Sequence, residues 1–164
     1  MNTSATLTPQ QAIAALLERY APQQLLYVAN SSFPALEAYL SRQPNCQLSQ
    51  QASSALRPEL AARRYDLAII ADCLEHMPKA SGLQLLAGIR NLNASRIAVL
   101  IDLERSDWNI TDFYALALQN SGQFQREGQQ LTLFTYDLLE YKQVPDWLNA
   151  KFWANPQNFG KYWW

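Results

Sequence analysis

Residues 65–78 read Tyr65-Asp66-Leu67-Ala68-Ile69-Ile70-Ala71-Asp72-Cys73-Leu74-Glu75-His76-Met77-Pro78. The run from Tyr65 to Ala71 is apolar except for Asp66 and is too short for an ordinary helix. It therefore reads as a buried strand. Three titratable side chains, Asp72, Glu75 and His76, follow where that strand ends, and Pro78 introduces the next element. In open α/β sheets ligands bind outside the carboxyl ends of the strands, so this stretch predicts both a fold class and a place for a site.

Similar strands flank it. Leu25–Ala29 (LLYVA) and Arg96–Asp102 (RIAVLID) have the length and composition of buried strands, and Cys46–Gln50 reads as a weaker one. Helical patterns separate them. Thr8-Pro9-Gln10-Gln11 has a capping-box spacing, and Ile13, Leu16, Leu17 and Tyr20 share a face behind it. A serine cap at Ser31 or Ser32 before Pro34 predicts a helix carrying Leu36, Tyr39 and Leu40. Residues 52–64 read as helical with Pro58 interrupting, and residues 79–92 as an amphipathic helix. Asn109 with Asp112 opens a helix carrying Phe113, Leu116, Ala117 and Asn120, which Gly122 stops. Phe124–Glu127 and Leu131–Tyr136 flank Gly128 as a hairpin. Cys46 and Cys73 fall in different strands on this reading. Strands alternating with helices predict an α/β protein with a mainly parallel sheet and a C-terminal antiparallel hairpin.

The composition excludes several functions. The chain has 5 glycines in 164 residues, and none before Gly82. A P-loop or a dinucleotide-binding turn in the first half is ruled out, because both need bare backbone against phosphate. The formal charge of -1 leaves no electrostatic footprint for nucleic acid. No apolar run approaches membrane-spanning length, and the N-terminus lacks the basic start of a secretory signal. Two cysteines and one histidine make no structural zinc site without carboxylates, so no metal is expected and a cytoplasmic location is.

The 65–78 segment resembles class I S-adenosylmethionine-dependent methyltransferases, in which a strand of the form (F/Y)DLVI runs into a DxLEH(L/M)P turn and a helix. The resemblance extends over residues 24–138 and implies a Rossmann-like sheet. The departures fall where that family binds its cofactor. The family's first strand ends in an acid and a GxGxG turn, whereas LLYVA runs into Asn30-Ser31-Ser32-Phe33-Pro34. Its second strand ends in a ribose-binding acid, whereas here Leu48-Ser49-Gln50-Gln51 has no carboxylate. The fourteen or so residues before Tyr65 have room for a helix but not for a further edge strand, so one edge strand is expected to be missing.

Two functions follow as expectations. The first is a methyltransferase-like domain that binds no cofactor and serves as a binding, regulatory or assembly module. The second is an active methyltransferase with a non-standard S-adenosylmethionine site. In the second case Asp72, Glu75 and His76 are the candidate catalytic residues, with His76 suited to general-base work. Asn30, Ser31, Ser32, Gln50 and Asp72 would then hold the cofactor. The structural alternative has Asp72 and Glu75 capping the turn and His76 packed beneath the next helix. Asp72 and His76 with Ser31 or Ser32 raise a hydrolase reading, but no nucleophile elbow surrounds either serine. Asp102 closes the next strand at the same sheet edge, and a buried Cys73 is expected to be inert.

Residues 1–138 are expected to form the domain and 139–164 a tail. Eight aromatic residues lie between Tyr141 and Trp164. Trp153, Trp163 and Trp164 are the candidate interface to a protein partner or a second copy, because such side chains bury large area with few rotors. Trp147, Phe152 and Trp153 could instead fold back as a clasp.

Overall fold

Three strands of alternating outward and inward side chains, each buried on both sides, form the centre of a six-stranded sheet. The computed structural model describes residues 8–52, 56–126 and 128–138. The strands are β1 (Gln24–Val28), β2 (Gln47–Gln51), β3 (Leu67–Ala71), β4 (Arg96–Ile101), β5 (Gln119–Arg126) and β6 (Gln129–Asp137). Their order across the sheet is β2-β1-β3-β4-β6-β5. The first four are parallel, and β6 joins β4 antiparallel with β5 outside it. Every residue of β3 is buried, which explains its unbroken apolar sequence.

The period of two along each strand divides the core. Leu25, Tyr27, Leu67, Ile69, Ala98 and Leu100 face α1 (Pro9–Tyr20) and α2 (Pro34–Arg42), where they meet Ile13, Leu17, Leu36 and Tyr39. Leu26, Val28, Ala68, Ile70, Ile97 and Val99 face α3 (Pro58–Ala61), α4 (Lys79–Gly88) and α5 (Ile110–Ala115). On that second side Trp108, Phe113 and Phe134 stack in series, with centroids 5.0 and 4.1 Å apart. Gly82 of α4 lies under the Trp108 ring.

The starting ends of the strands are tied by polar groups. One Asp66 carboxylate oxygen accepts the amides of Gln23 and Gln24 at 2.8 and 3.0 Å. Helix α4 runs into a π turn, Ile89–Asn93, which carries buried Asn93 to the α3 segment. The Asn93 amide donates to the carbonyls of Ala61 and Arg63 at 2.9 and 2.8 Å.

Several local expectations are corrected. Helix α2 has Phe33 as its N-cap and no side-chain cap of its own. The first-turn amide of Ala35 instead donates to Gln10 Oε1 of α1, so a neighbouring helix supplies the acceptor that a serine was expected to give. Between 52 and 64 the helix is only Pro58–Ala61, and residues 53–55 lie outside the described residues. Helix α5 has the Asn109–Asp112 capping box but ends at Ala115, because Ala117 turns left-handed at φ 68°. Gly122 therefore lies inside β5, beside a register shift, and stops no helix. Cys46 and Cys73 flank strands β2 and β3 and lie in neither.

Among the described residues β2 is an edge. Arg57 Nη2 donates to the Gln50 carbonyl at 3.1 Å, on the side where a further strand would pair, and Arg63 Nη1 donates to the side-chain hydroxyl of buried Ser49 at 3.4 Å. Residues 139–164, with the expected domain boundary and Trp147, Phe152, Trp153, Trp163 and Trp164, lie outside the described residues.

A methyl group at position 82 would stand 2.7 Å from Trp108 Cζ2, and that ring is buried in the stack. Gly82→Ala is therefore expected to lower stability by about 1–3 kcal/mol in urea unfolding. An unchanged midpoint would show that the stack yields without loss.

Candidate functional site

The carboxyl ends of β1, β3 and β4 open into a cleft of about 230 Å3, bordered by Ser31, Ser32, Asp72, Glu75, Gln10 and Gln129. Its position follows from the topology: β1 pairs with β2 on one side and β3 on the other, so the chain reverses its direction of winding there.

The loop after β1 is held by the protein itself. The amide of Ala29 donates to Gln51 O at 3.0 Å and that of Asn30 to Asp72 O at 3.4 Å, extending β1 one residue toward each neighbour. The Ser31 carbonyl accepts from Tyr27 Oη at 2.8 Å. Phe33 is buried, and Pro34 has no amide proton. Across the loop, Gln51 closes β2. Its Oε1 accepts the Arg57 amide at 2.9 Å, and its Nε2 donates to Ala52 O at 3.2 Å. Gln50 is exposed and does not border the cleft.

Beyond β3 the chain makes a sharp change of direction at Asp72, whose φ of 49° lies in the left-handed region. That turn sends the acidic side chains to different tasks. Asp72 Oδ1 pairs with His76 Nε2 at 2.7 Å, both side chains being about half exposed. Glu75 Oε2 accepts the amide of Asp102 at 2.9 Å, while its Oε1 is buried with no hydrogen-bond partner. Asp102 is buried. Its Oδ1 caps the short turn at Glu104 and Arg105, and its Oδ2 accepts from Gln129 Nε2 at 3.2 Å. Glu75, Asp102 and Gln129 thus join the ends of β3, β4 and β6. Neither Asp72 nor Glu75 caps the turn at Leu74–His76, which has no side-chain cap.

Of the sequence candidates, Ser31, Ser32, Asp72 and Glu75 meet in this cleft, with Asn30 tied to Asp72 at its edge. His76 is exposed and lines a separate apolar groove with Met77 and Pro78, so its ring is not packed beneath α4. Gln10 and Gln129 were missed. No motif marks either, since each reaches the cleft from an element distant in sequence. The cleft is bordered by two carboxylates and no cationic side chain, an arrangement that accepts hydrogen bonds from donors or holds positive charge. Among the described residues no three His, Cys, Asp or Glu side chains are grouped to hold a metal ion. No helix of the described residues is long and apolar enough to cross a membrane.

Two buried groups beside the cleft are held protonated. The Cys73 thiol is pushed up from 9.0 to about 12, chiefly by burial and then by the Glu75 and Asp72 charges. The Tyr27 hydroxyl is pushed up from 10.0 to about 12 by burial, then by Asp72 and Glu37. A thiol so protonated is no nucleophile near neutral pH.

This sheet, with its strand order and closing hairpin, is the fold of class I S-adenosylmethionine-dependent methyltransferases. Solved structures share it. The magnesium protoporphyrin IX methyltransferase of Synechocystis PCC 6803 with bound SAM has a TM-score of 0.53 at 12% identity, over 77% of this chain and 76% of that one. The N-terminal domain of EvdMO1 with SAH bound has a TM-score of 0.55 at 9% identity, over 82% of each chain. An O-methyltransferase family protein from Burkholderia thailandensis gives 0.52 at 10% identity, over 78% of this chain and 56% of that one. By sequence the chain belongs to the family of unknown function DUF6231, whose pattern matches residues 7–164. Among curated proteins no sequence matches it.

Two predictions concern the turn and its buried neighbours. At position 72 a β-branched residue is strained where glycine is not, so Asp72→Val should be less stable than Asp72→Gly by at least about 1 kcal/mol. Equal unfolding midpoints would contradict the left-handed turn. For Cys73 the unfolded thiol ionises from about 9, while the folded one stays protonated toward 12. The unfolded state therefore binds fewer protons in that window, and stability falls as pH rises through it. Cys73→Ser should flatten that slope; a slope unchanged from the parent would show that the thiol is not buried as described.

Proposed function

We propose that this chain is a methyltransferase-fold domain without a working S-adenosylmethionine site, serving as a binding, regulatory or assembly module. The observation that carries this reading is the internal engagement of residues 29–31. A cofactor with an amino-acid and a nucleoside part needs backbone groups offered by a tight, bare turn. Here the Asn30 amide and the Ser31 carbonyl are already bonded to Asp72 and Tyr27, and side chains stand where glycines would leave space. Gln51, at the end of the second strand, is turned to the Arg57 amide and Ala52 and presents no carboxylate. The 230 Å3 cleft is smaller than the roughly 300–1,000 Å3 of ordinary small-molecule sites. These residues do not fit the cofactor as they stand.

One observation favours the other reading, an active methyltransferase. Asp72 and Glu75 border the cleft with no competing cation, an environment suited to a sulfonium centre, and Asp72 orients His76 at 2.7 Å. A single titration separates the two. The full chain is heated with S-adenosylmethionine or S-adenosylhomocysteine up to millimolar concentration, and isothermal calorimetry is run alongside. No change in melting temperature and no heat are expected. Binding at 100 times the dissociation constant stabilises a fold by about 2.7 kcal/mol, so a clear rise in melting temperature would replace the module reading by the enzyme.

A further inference from the structure

On the face of the sheet away from α1 and α2, an apolar groove of about 390 Å3 runs along α4 and its π turn. Leu85 and Ile89 form its buried side, Leu56 and Met77 border it, and Leu92 stands at its rim with 64% of its surface exposed. Gly88 leaves part of the wall as bare backbone, since a Cβ there would meet nothing within 4 Å. A single exposed leucine is ordinary, but an apolar groove of this volume beside it has the size and lining of a binding surface.

The place where the described chain ends indicates what binds. A second, more polar depression continues around the π turn, shares Leu92 and Asn93 with the groove, and contains Leu138. Leu138 is the last described residue, and 26 residues follow it (164 less 138). Those 26 hold four of the five tryptophans and eight aromatic side chains in all. The aromatic segment thus follows directly on a residue of the depression that adjoins the groove at Leu92 and Asn93. Trp147 is nine residues beyond Leu138, a reach of at most about 30 Å when extended. A tethered segment also has an effective concentration in the millimolar range, which favours it over a separate molecule of the same affinity.

We propose that the segment 139–164 seats aromatic side chains in the groove formed by α3, α4 and the π turn of its own chain. The groove is then the tail's docking site and is distinct from the cleft at the strand ends. This assignment does not depend on whether the cleft binds S-adenosylmethionine.

Photo-crosslinking of the full chain tests it. Gln84 is exposed at the rim of the groove, so Gln84→Cys in a Cys46→Ser background takes a benzophenone maleimide without filling the floor. Equal amounts of 14N- and 15N-labelled chain are mixed, irradiated at low micromolar concentration and mapped by mass spectrometry. Adducts to residues 139–164 within one chain are expected as the main product. Adding Gly88→Trp, which fills the groove at a position with open space, should lower their yield at least fivefold. Mixed-isotope adducts would put a second copy in the groove and overturn the assignment. Adducts confined to neighbouring residues, or a yield that Gly88→Trp leaves unchanged, would overturn it as well.

Discussion

The backbone of residues 29–31 has to satisfy its own hydrogen bonds. In a glycine-rich turn those groups are left for a ligand; here Gln51, Asp72 and the Tyr27 hydroxyl take them. Much of the sheet edge follows from this. Ala29 and Asn30 extend β1 toward both neighbours at the reversal point. Because the Ser31 carbonyl is bonded from below, Tyr27 must be buried with its proton in place. Phe33 then turns inward at the start of α2, and the helix borrows its missing acceptor from Gln10.

The other side of the cleft is built on carboxylates. Glu75 holds the Asp102 amide, and Asp102 holds Gln129 and the amides of Glu104 and Arg105. The acids of a DxLEHMP turn are thereby divided. Glu75 joins strands, while Asp72 faces the cleft and pairs with His76 across to another surface. A motif kept by sequence therefore does at least two structural jobs before any chemistry is asked of it. The Glu75 oxygen left buried and unpartnered is the part of that arrangement with no structural task among the described residues.

The central strands were legible because burial on both faces demands unbroken apolar sequence, as in Leu67–Ala71. The starts of α1 and α5 were legible because their caps are local: Thr8 with Gln11, and Asn109 with Asp112. What could not be read depends on partners far along the chain. The acceptor for Ala35 comes from 25 residues away and the donor to Asp102 from 27. The end of α5 was misread because an alanine took the left-handed position that usually signals glycine, while Gly122 went into a strand. The sheet edge that carries the cleft was visible from strand direction alone. The separation of His76 from Ser31 and Ser32 needed the left-handed turn at Asp72, which no spacing rule reports.

Arg57 bonds the Gln50 carbonyl of β2, on the side where the sheet of the described residues would otherwise continue. A strand edge with unused amides and carbonyls is a template for any extended chain in solution, and natural proteins guard such edges with charge. Here one guanidinium group takes a backbone acceptor that a further strand would otherwise use. An edge carbonyl bonded in this way is withheld from any extended chain that would pair with it, and the side chain that withholds it belongs to the residue whose amide also holds Gln51 at the end of the same strand.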